Sequence, residues 1–144
     1  MKEVAQLIHD RLTGDTSGTD NLESLLGASG RIYRGFQSQQ IQDNSLVYWI
    51  FTATPNQLGG DRVKILEEFW QFSVFSGRHM EILTRIRRLF DDRRFTIPSS
   101  YNEIGSLSSV WDWEGPPTFD GNLKTGRRDV RFRFFVGPKA VDPI

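Results

Sequence analysis

The 144-residue chain carries 18 basic and 18 acidic side chains, a formal net charge of zero, and 38% of its residues are hydrophobic. Balanced charge leaves no global field to draw it to DNA or to an anionic membrane. The chain has no cysteine, which excludes disulfides, thiolate metal sites and cysteine nucleophiles.

The length is that of one domain, able to bury roughly 68–70% of its unfolded surface without cross-links. Lys2, Glu3, Asp10 and Arg11 interrupt the N-terminal segment, so it lacks the apolar core of a signal peptide. No run approaches the ~20 apolar residues that span a bilayer. The expectation is a soluble chain made in the cytoplasm, with no membrane partner.

Val4, Leu7, Ile8 and Leu12 fall on one helical face and Gly14 ends the pattern, which predicts a helix over 2–13. Asp20 is placed to cap a short helical turn through Leu22, Leu25 and Leu26 that stops at Gly27. Arg31 to Phe36 starts a sheet, and residues 37–45 read as an edge segment or a loop. The run LVYWIFTAT, 46–54, is nearly continuous in apolar and β-branched residues, the pattern of a strand covered on both faces. PNQLGGD turns the chain into a second apolar strand, 67–75. Ser76 is placed to cap a helix whose buried face is Ile82, Leu83, Ile86, Leu89 and Phe90. Leu107, Ser109, Trp111 and Trp113 alternate with Ser108, Val110 and Asp112, and Val130, Phe132, Phe134 and Val136 occupy one face of a last strand. Between these two strands, a projecting loop is expected near 115–127. The tail 137–144 reads as loose. The order of elements predicts a single α+β domain over 1–144, a small, mostly antiparallel β-sheet with packed α-helices.

Six arginines fall in residues 78–94. Pairs at i, i+4 join Glu81 to Arg85, Arg87 to Asp91 and Arg88 to Asp92, each contributing about 0.2–0.5 kcal/mol. Burying the five apolar side chains contributes about 1.5–3 kcal/mol each and sets the orientation of the helix. Most of the arginines are therefore a solvated face, and Arg78, Arg93 and Arg94 remain for a partner subunit. A nucleic-acid surface is the alternative, using Arg78, Arg85, Arg88, Arg127, Arg131 and Arg133 if their elements are neighbours.

No catalytic constellation is legible. His9 and His79 have no metal-ligand spacing, and GNLKTGRR departs from a phosphate loop at Arg127 and Arg128 and leads into a strand. Asp112, Glu114 and Asp120 read as a solvated acidic loop. The expectation is a protein that is not an enzyme and has no cofactor and no metal.

The segments GRIYRGF, LVYWIF, EEFWQFSVFSGRHMEILTRIRRLF and WDWEGPPTFDGNLKTGRRDVRFRFFV follow the short N-terminal helix in order. Together they resemble the tail-terminator, or tail-completion, proteins of long-tailed bacteriophages. Most telling are the aromatic strand, the Ser-Gly break and the helix that follows. One departure is Asn44 and Ser45, where relatives often carry a proline before the second strand. The resemblance implies a virion protein of the tail and neck, forming a homo-oligomeric, six-fold ring. Such a ring sits on the last layer of the major tail-tube protein and ends its polymerisation. It joins the tail to the head-tail connector protein, and DNA slides through its lumen without specific binding. Trp111, Trp113 and Phe119 around the Gly-Pro-Pro turn are the candidate contacts, with Phe69, Trp70 and Phe75 divided between core and interface. Trp111 fits core and interface equally well.

Overall fold

The computed structural model describes residues 1–28, 31–35, 42–57 and 64–139. Its elements are α1 (Lys2–Thr13), α2 (Leu22–Leu26), β1 (Ile32–Arg34), β2 (Ser45–Gln57), β3 (Lys64–Phe75), α3 (His79–Phe90), β4 (Arg93–Arg94), β5 (Ile104–Glu114), β6 (Thr118–Asp120) and β7 (Thr125–Pro138). The chain forms a single α+β domain, with the seven strands in one sheet of order β1-β2-β3-β7-β5-β4 and β6 paired to β7. Among the described residues, β1 and β2 run parallel and the other strand pairs are antiparallel. Phe36, residues 37–41, the turn residues 58–61 and the tail residues 140–144 lie outside the described residues.

The helices cover one face. Val130, Phe132, Phe134 and Val136 of β7 point into that layer with Trp70, Phe72 and Val74 of β3, against Val4, Leu7, Ile8 and Leu12 of α1 and Ile82, Leu83, Ile86 and Phe90 of α3. Phe132 lies edge-on to Phe72 and to Trp111, an arrangement aromatic rings favour. Two polar groups in this layer, Glu68 and Tyr48, find partners. The Glu68 carboxylate accepts from Trp70 Nε1 at 3.0 Å and pairs with the Met1 amino group at 2.9 Å. The Tyr48 hydroxyl meets His9 Nδ1 at 2.7 Å, and burial pushes its phenol up to about 12.

Helix α1 is tied to the far edge of the sheet by Glu3. Its carboxylate accepts the backbone N–H groups of Asn102, Glu103 and Ile104 at 2.8, 2.8 and 3.1 Å. Desolvation opposes its charge, but those three donors and Lys139 outweigh it and hold the carboxyl below its ordinary value.

Several local expectations are corrected. Asn21, not Asp20, caps α2. Asn21 has an extended backbone and its Oδ1 accepts Ser24 N–H at 2.9 Å, whereas Asp20 is left-handed at φ 59°. Gly27 ends α2 as expected, at φ 88°. Strand β2 runs on through the segment read as a turn, to Gln57. It is buried over Ser45, Leu46, Val47 and Tyr48, while Ile50, Phe51, Thr52 and Ala53 are exposed. A register shift between Ile50 and Thr52 breaks its alternation there.

Helix α3 starts at His79, with Ser76 two residues before the capping position. Ser76 is buried and still serves the joint, since its Oγ accepts Arg78 N–H at 3.0 Å and donates to Asn44 Oδ1 at 2.6 Å. Glu81 pairs with Arg78 rather than Arg85, and Arg85 binds Asp15 instead. Arg87–Asp91 forms as expected, at 3.5 Å. The 115–127 segment holds a short β-hairpin, with Thr118, Phe119 and Asp120 opposite Arg127, Gly126 and Thr125. Asp112 and Glu114 belong to β5 rather than to a loop and pair with Arg133 and Arg128. Residues 137–139 are held, not loose: Gly137 and Pro138 extend β7, and Lys139 N–H donates to the Glu103 carbonyl at 3.1 Å.

Candidate functional site

The odd-numbered residues of β7 face away from the helices. Strand register builds rows across that face. Trp49, Gln71, Arg131 and Trp113 stand in one row, and Phe69, Arg133 and Val110 in the next. Glu67, Phe135 and Ser108 follow. The face is open in its middle and toward Arg94, while Val47, Ser73 and Phe75 near the start of β2 are buried.

Arginines and aromatic rings interleave here. The Arg131 guanidinium lies 4.0 Å from the Phe51 ring centroid and 4.4 Å from that of Trp113, with its Nε donating to Gln71 Oε1 at 3.2 Å. Arg133 lies 5.1 Å from Phe69 and 3.6 Å from Asp112. Arg127 stands 5.0 Å from Phe75 and pairs with Asp129 at 3.1 Å, and Asp129 accepts the Ser73 hydroxyl. Each exposed cation–ring contact contributes about 0.5–1 kcal/mol and holds a guanidinium flat. Phe51 is 53% and Trp113 38% exposed, so the Phe51–Arg131–Trp113 stack presents two rings and a charge to solvent.

The sequence-derived candidates are dispersed by this geometry. A register shift between Trp111 and Trp113 puts the two tryptophans on opposite faces. Trp113 joins the open face. Trp111 lies on the helix side, edge-on to Phe132 and 4.3 Å below the Arg87 guanidinium, half-buried at the core margin. Phe119, 70% exposed, sits on the hairpin. Trp70 and Phe75 are buried and Phe69 is half-buried on the open face.

Arg78, expected to be unpaired, bonds Glu81 on α3 at 3.0 Å. Arg93 donates to the Arg88 carbonyl at 2.9 Å. Arg94 is exposed on β4 and lines a shallow pocket of about 290 Å3 with Ser106, Ser108 and Phe135. The six arginines of the nucleic-acid alternative also divide. Arg85 and Arg88 stand on α3 and Arg78 just before it, and Arg127, Arg131 and Arg133 on β7, whose odd-numbered positions face away from that helix.

Phe51 is the site residue that periodicity does not find, because the residues before it, Leu46 to Ile50, are apolar or aromatic on both parities. The signal that did exist lay on β7, where arginines alternate with core residues. Among the described residues, no group of three or more His, Asp or Glu side chains is placed to hold a metal ion, and no helix is long and apolar enough to cross a membrane. No protein-family model matches this chain, and a search of curated proteins finds no match either.

Proposed function

We propose that this chain is the structural subunit of a ring that caps the tail tube of a long-tailed bacteriophage, ends tube polymerisation and joins the tail to the head connector. The observation that carries this reading is the exposed Phe51–Arg131–Trp113 stack on the open face. Interfaces are enriched in aromatic residues and arginine and depleted in lysine, aspartate and glutamate. The cations described on this face are arginines, and Arg133 and Arg127 are already matched by Asp112 and Asp129. Such a surface needs another protein surface more than a polyanion. The ordered resemblance of the strands and α3 to tail-completion proteins supplies the rest. In this reading six copies close a ring through heterologous contacts. The tube protein and the connector bind its two ends, and DNA passes through without specific binding.

The nucleic-acid alternative has less support, because its six arginines are shared between α3 and the opposite face of the sheet. The function is non-catalytic in this reading.

Light scattering and negative-stain imaging of the purified chain, alone and with tail tubes, test the proposal. Closed rings, or rings seated on tube ends, are expected for the natural chain, with loss of both for Trp113→Ala. A strict monomer that never binds tube ends would overturn it.

A further inference from the structure

The open face is not level at its Arg94 end. Ser106 is directly opposed to Gly137 there, and Arg94, Ser108 and Phe135 are opposed in the row before. Directly opposed residues share a face, so all five stand on the open side. A Cβ at Gly137 would collide with the Ser106 hydroxyl, and its absence leaves a notch of about 290 Å3 walled by Arg94, Ser108 and Phe135.

The notch carries a cation without a counter-charge. Arg94 is exposed, and none of the ion pairs among the described residues uses it. No carboxylate among the described residues lines the notch, and Glu67, in the same row, stands on the far side of Phe135. Two serine hydroxyls add donors and the Phe135 ring an apolar wall, so the notch fits a carboxylate flanked by small apolar groups. The chain supplies such a segment. Residues 140–144 read Ala-Val-Asp-Pro-Ile, with Asp142 between two apolar neighbours. Lys139, from which they continue, is fixed at the rim. Its N–H donates to the Glu103 carbonyl at 3.1 Å, its Nζ to the Tyr101 carbonyl at 2.7 Å, and its Cα lies against Gly105, next to Ser106. Gly137 is two residues back, about 7 Å of chain, and three residues span up to about 10 Å, so Asp142 reaches the notch after one turn.

We infer that residues 140–144 fold back over this notch, with the Asp142 carboxylate on the Arg94 guanidinium and its apolar neighbours against the Phe135 ring. The tail then closes the Arg94 end of the open face and leaves the Phe51–Arg131–Trp113 stack as the part a partner meets. The contact is made within one chain and does not depend on the ring.

The chain has no cysteine, so an introduced pair reports this contact alone. Oxidation of the full chain carrying Ser106→Cys and Val141→Cys should join the two positions within one chain, read as a faster-running single-chain band on a gel without reductant. Adding Arg94→Ala or Asp142→Asn should slow that reaction about two- to fivefold, the scale of an exposed ion pair, without lowering the thermal midpoint. Exchanging the charges, Arg94→Asp with Asp142→Arg, should restore most of the rate. Equal rates with and without the Arg94 guanidinium would overturn the inference, as would a pair that never closes. Bands of two joined chains that grow with concentration would overturn it as well, by assigning the tail to a neighbouring copy. Trp113→Ala in the same background should leave the rate unchanged, so failure of the tail contact and failure of the ring are read apart.

Discussion

The two faces of β7 share one backbone and differ in everything else. On the helix side Val130, Phe132, Phe134 and Val136 are sealed among other rings and aliphatic chains. On the open side Arg127, Asp129, Arg131, Arg133 and Phe135 are half-exposed and meet aromatic rings or opposite charges across the strands. The first face gains free energy by removing apolar area from water. The second gains little by folding and keeps apolar rings at the surface, held in place by guanidinium groups. A strand whose residues are buried on one parity and half-exposed on the other should respond very differently to substitution on its two sides.

The largest contrast should come from truncating one ring on each side. Phe132→Ala opens a cavity among Phe72, Phe90 and Trp111 and should lower unfolding stability by about 3–5 kcal/mol in a urea titration. Phe51→Ala, on the open side, should change it by no more than about 1 kcal/mol while weakening self-association. Equal losses at the two positions would erase the distinction between the faces.

The helix side is also held by charge, and acid probes that. Asp15 is buried, accepts Leu22 N–H at 2.9 Å and is bonded by two nitrogens of Arg85. Burial opposes its charge, but the Arg85 and Leu22 hydrogen bonds outweigh it and hold its carboxyl below the ordinary value. A depressed folded value means the contribution is complete above the unfolded value of about 3.9 and is lost as pH falls through the folded one. Asp15→Ala should cost about 1.5–3 kcal/mol at neutral pH and flatten the acid limb of a stability–pH profile. An acid limb as steep as that of the natural chain would assign the effect to other carboxylates.

Smaller effects sharpen the open side. Arg133→Ala removes a half-exposed pair with Asp112 and should change stability by no more than about 1 kcal/mol. Arg131→Lys keeps the charge but not the flat guanidinium between two rings, so stability should hardly move while ring formation weakens. Unchanged assembly of Arg131→Lys by light scattering would reduce that residue to a passive neighbour of Trp113.

Periodicity was enough where one face of an element is apolar and the other is not. Helix α1, the buried side of α3 and the alternation of β7 follow from spacing alone, as does the α+β class. It failed at β2, where apolar residues occupy both parities and a register shift between Ile50 and Thr52 interrupts the alternation around Phe51, which lies on the open face beside Arg131. It failed again at Trp111 and Trp113, because one register shift reverses the face of every residue beyond it and leaves no mark in composition. The partner of Arg85 was equally hidden. Helical spacing pointed to Glu81 four residues away, whereas Asp15 arrives from 70 positions earlier in the chain. The arginines and rings of the open face were therefore visible as residues, and their arrangement was not.

Asn44 bears on how the domain opens and closes. Its backbone is left-handed, at φ 62°, a conformation closed to proline. Its side-chain amide donates to the Leu25 and Leu26 carbonyls at 3.1 and 2.8 Å and its oxygen accepts from Ser76. One amide thus joins the end of α2, the entry to β2 and the joint between β3 and α3. These three segments should fluctuate as one cooperative unit, with amides that exchange hydrogen at a shared rate. Asn44→Ala should split that unit, so that α2 frays early while the core strands keep their protection.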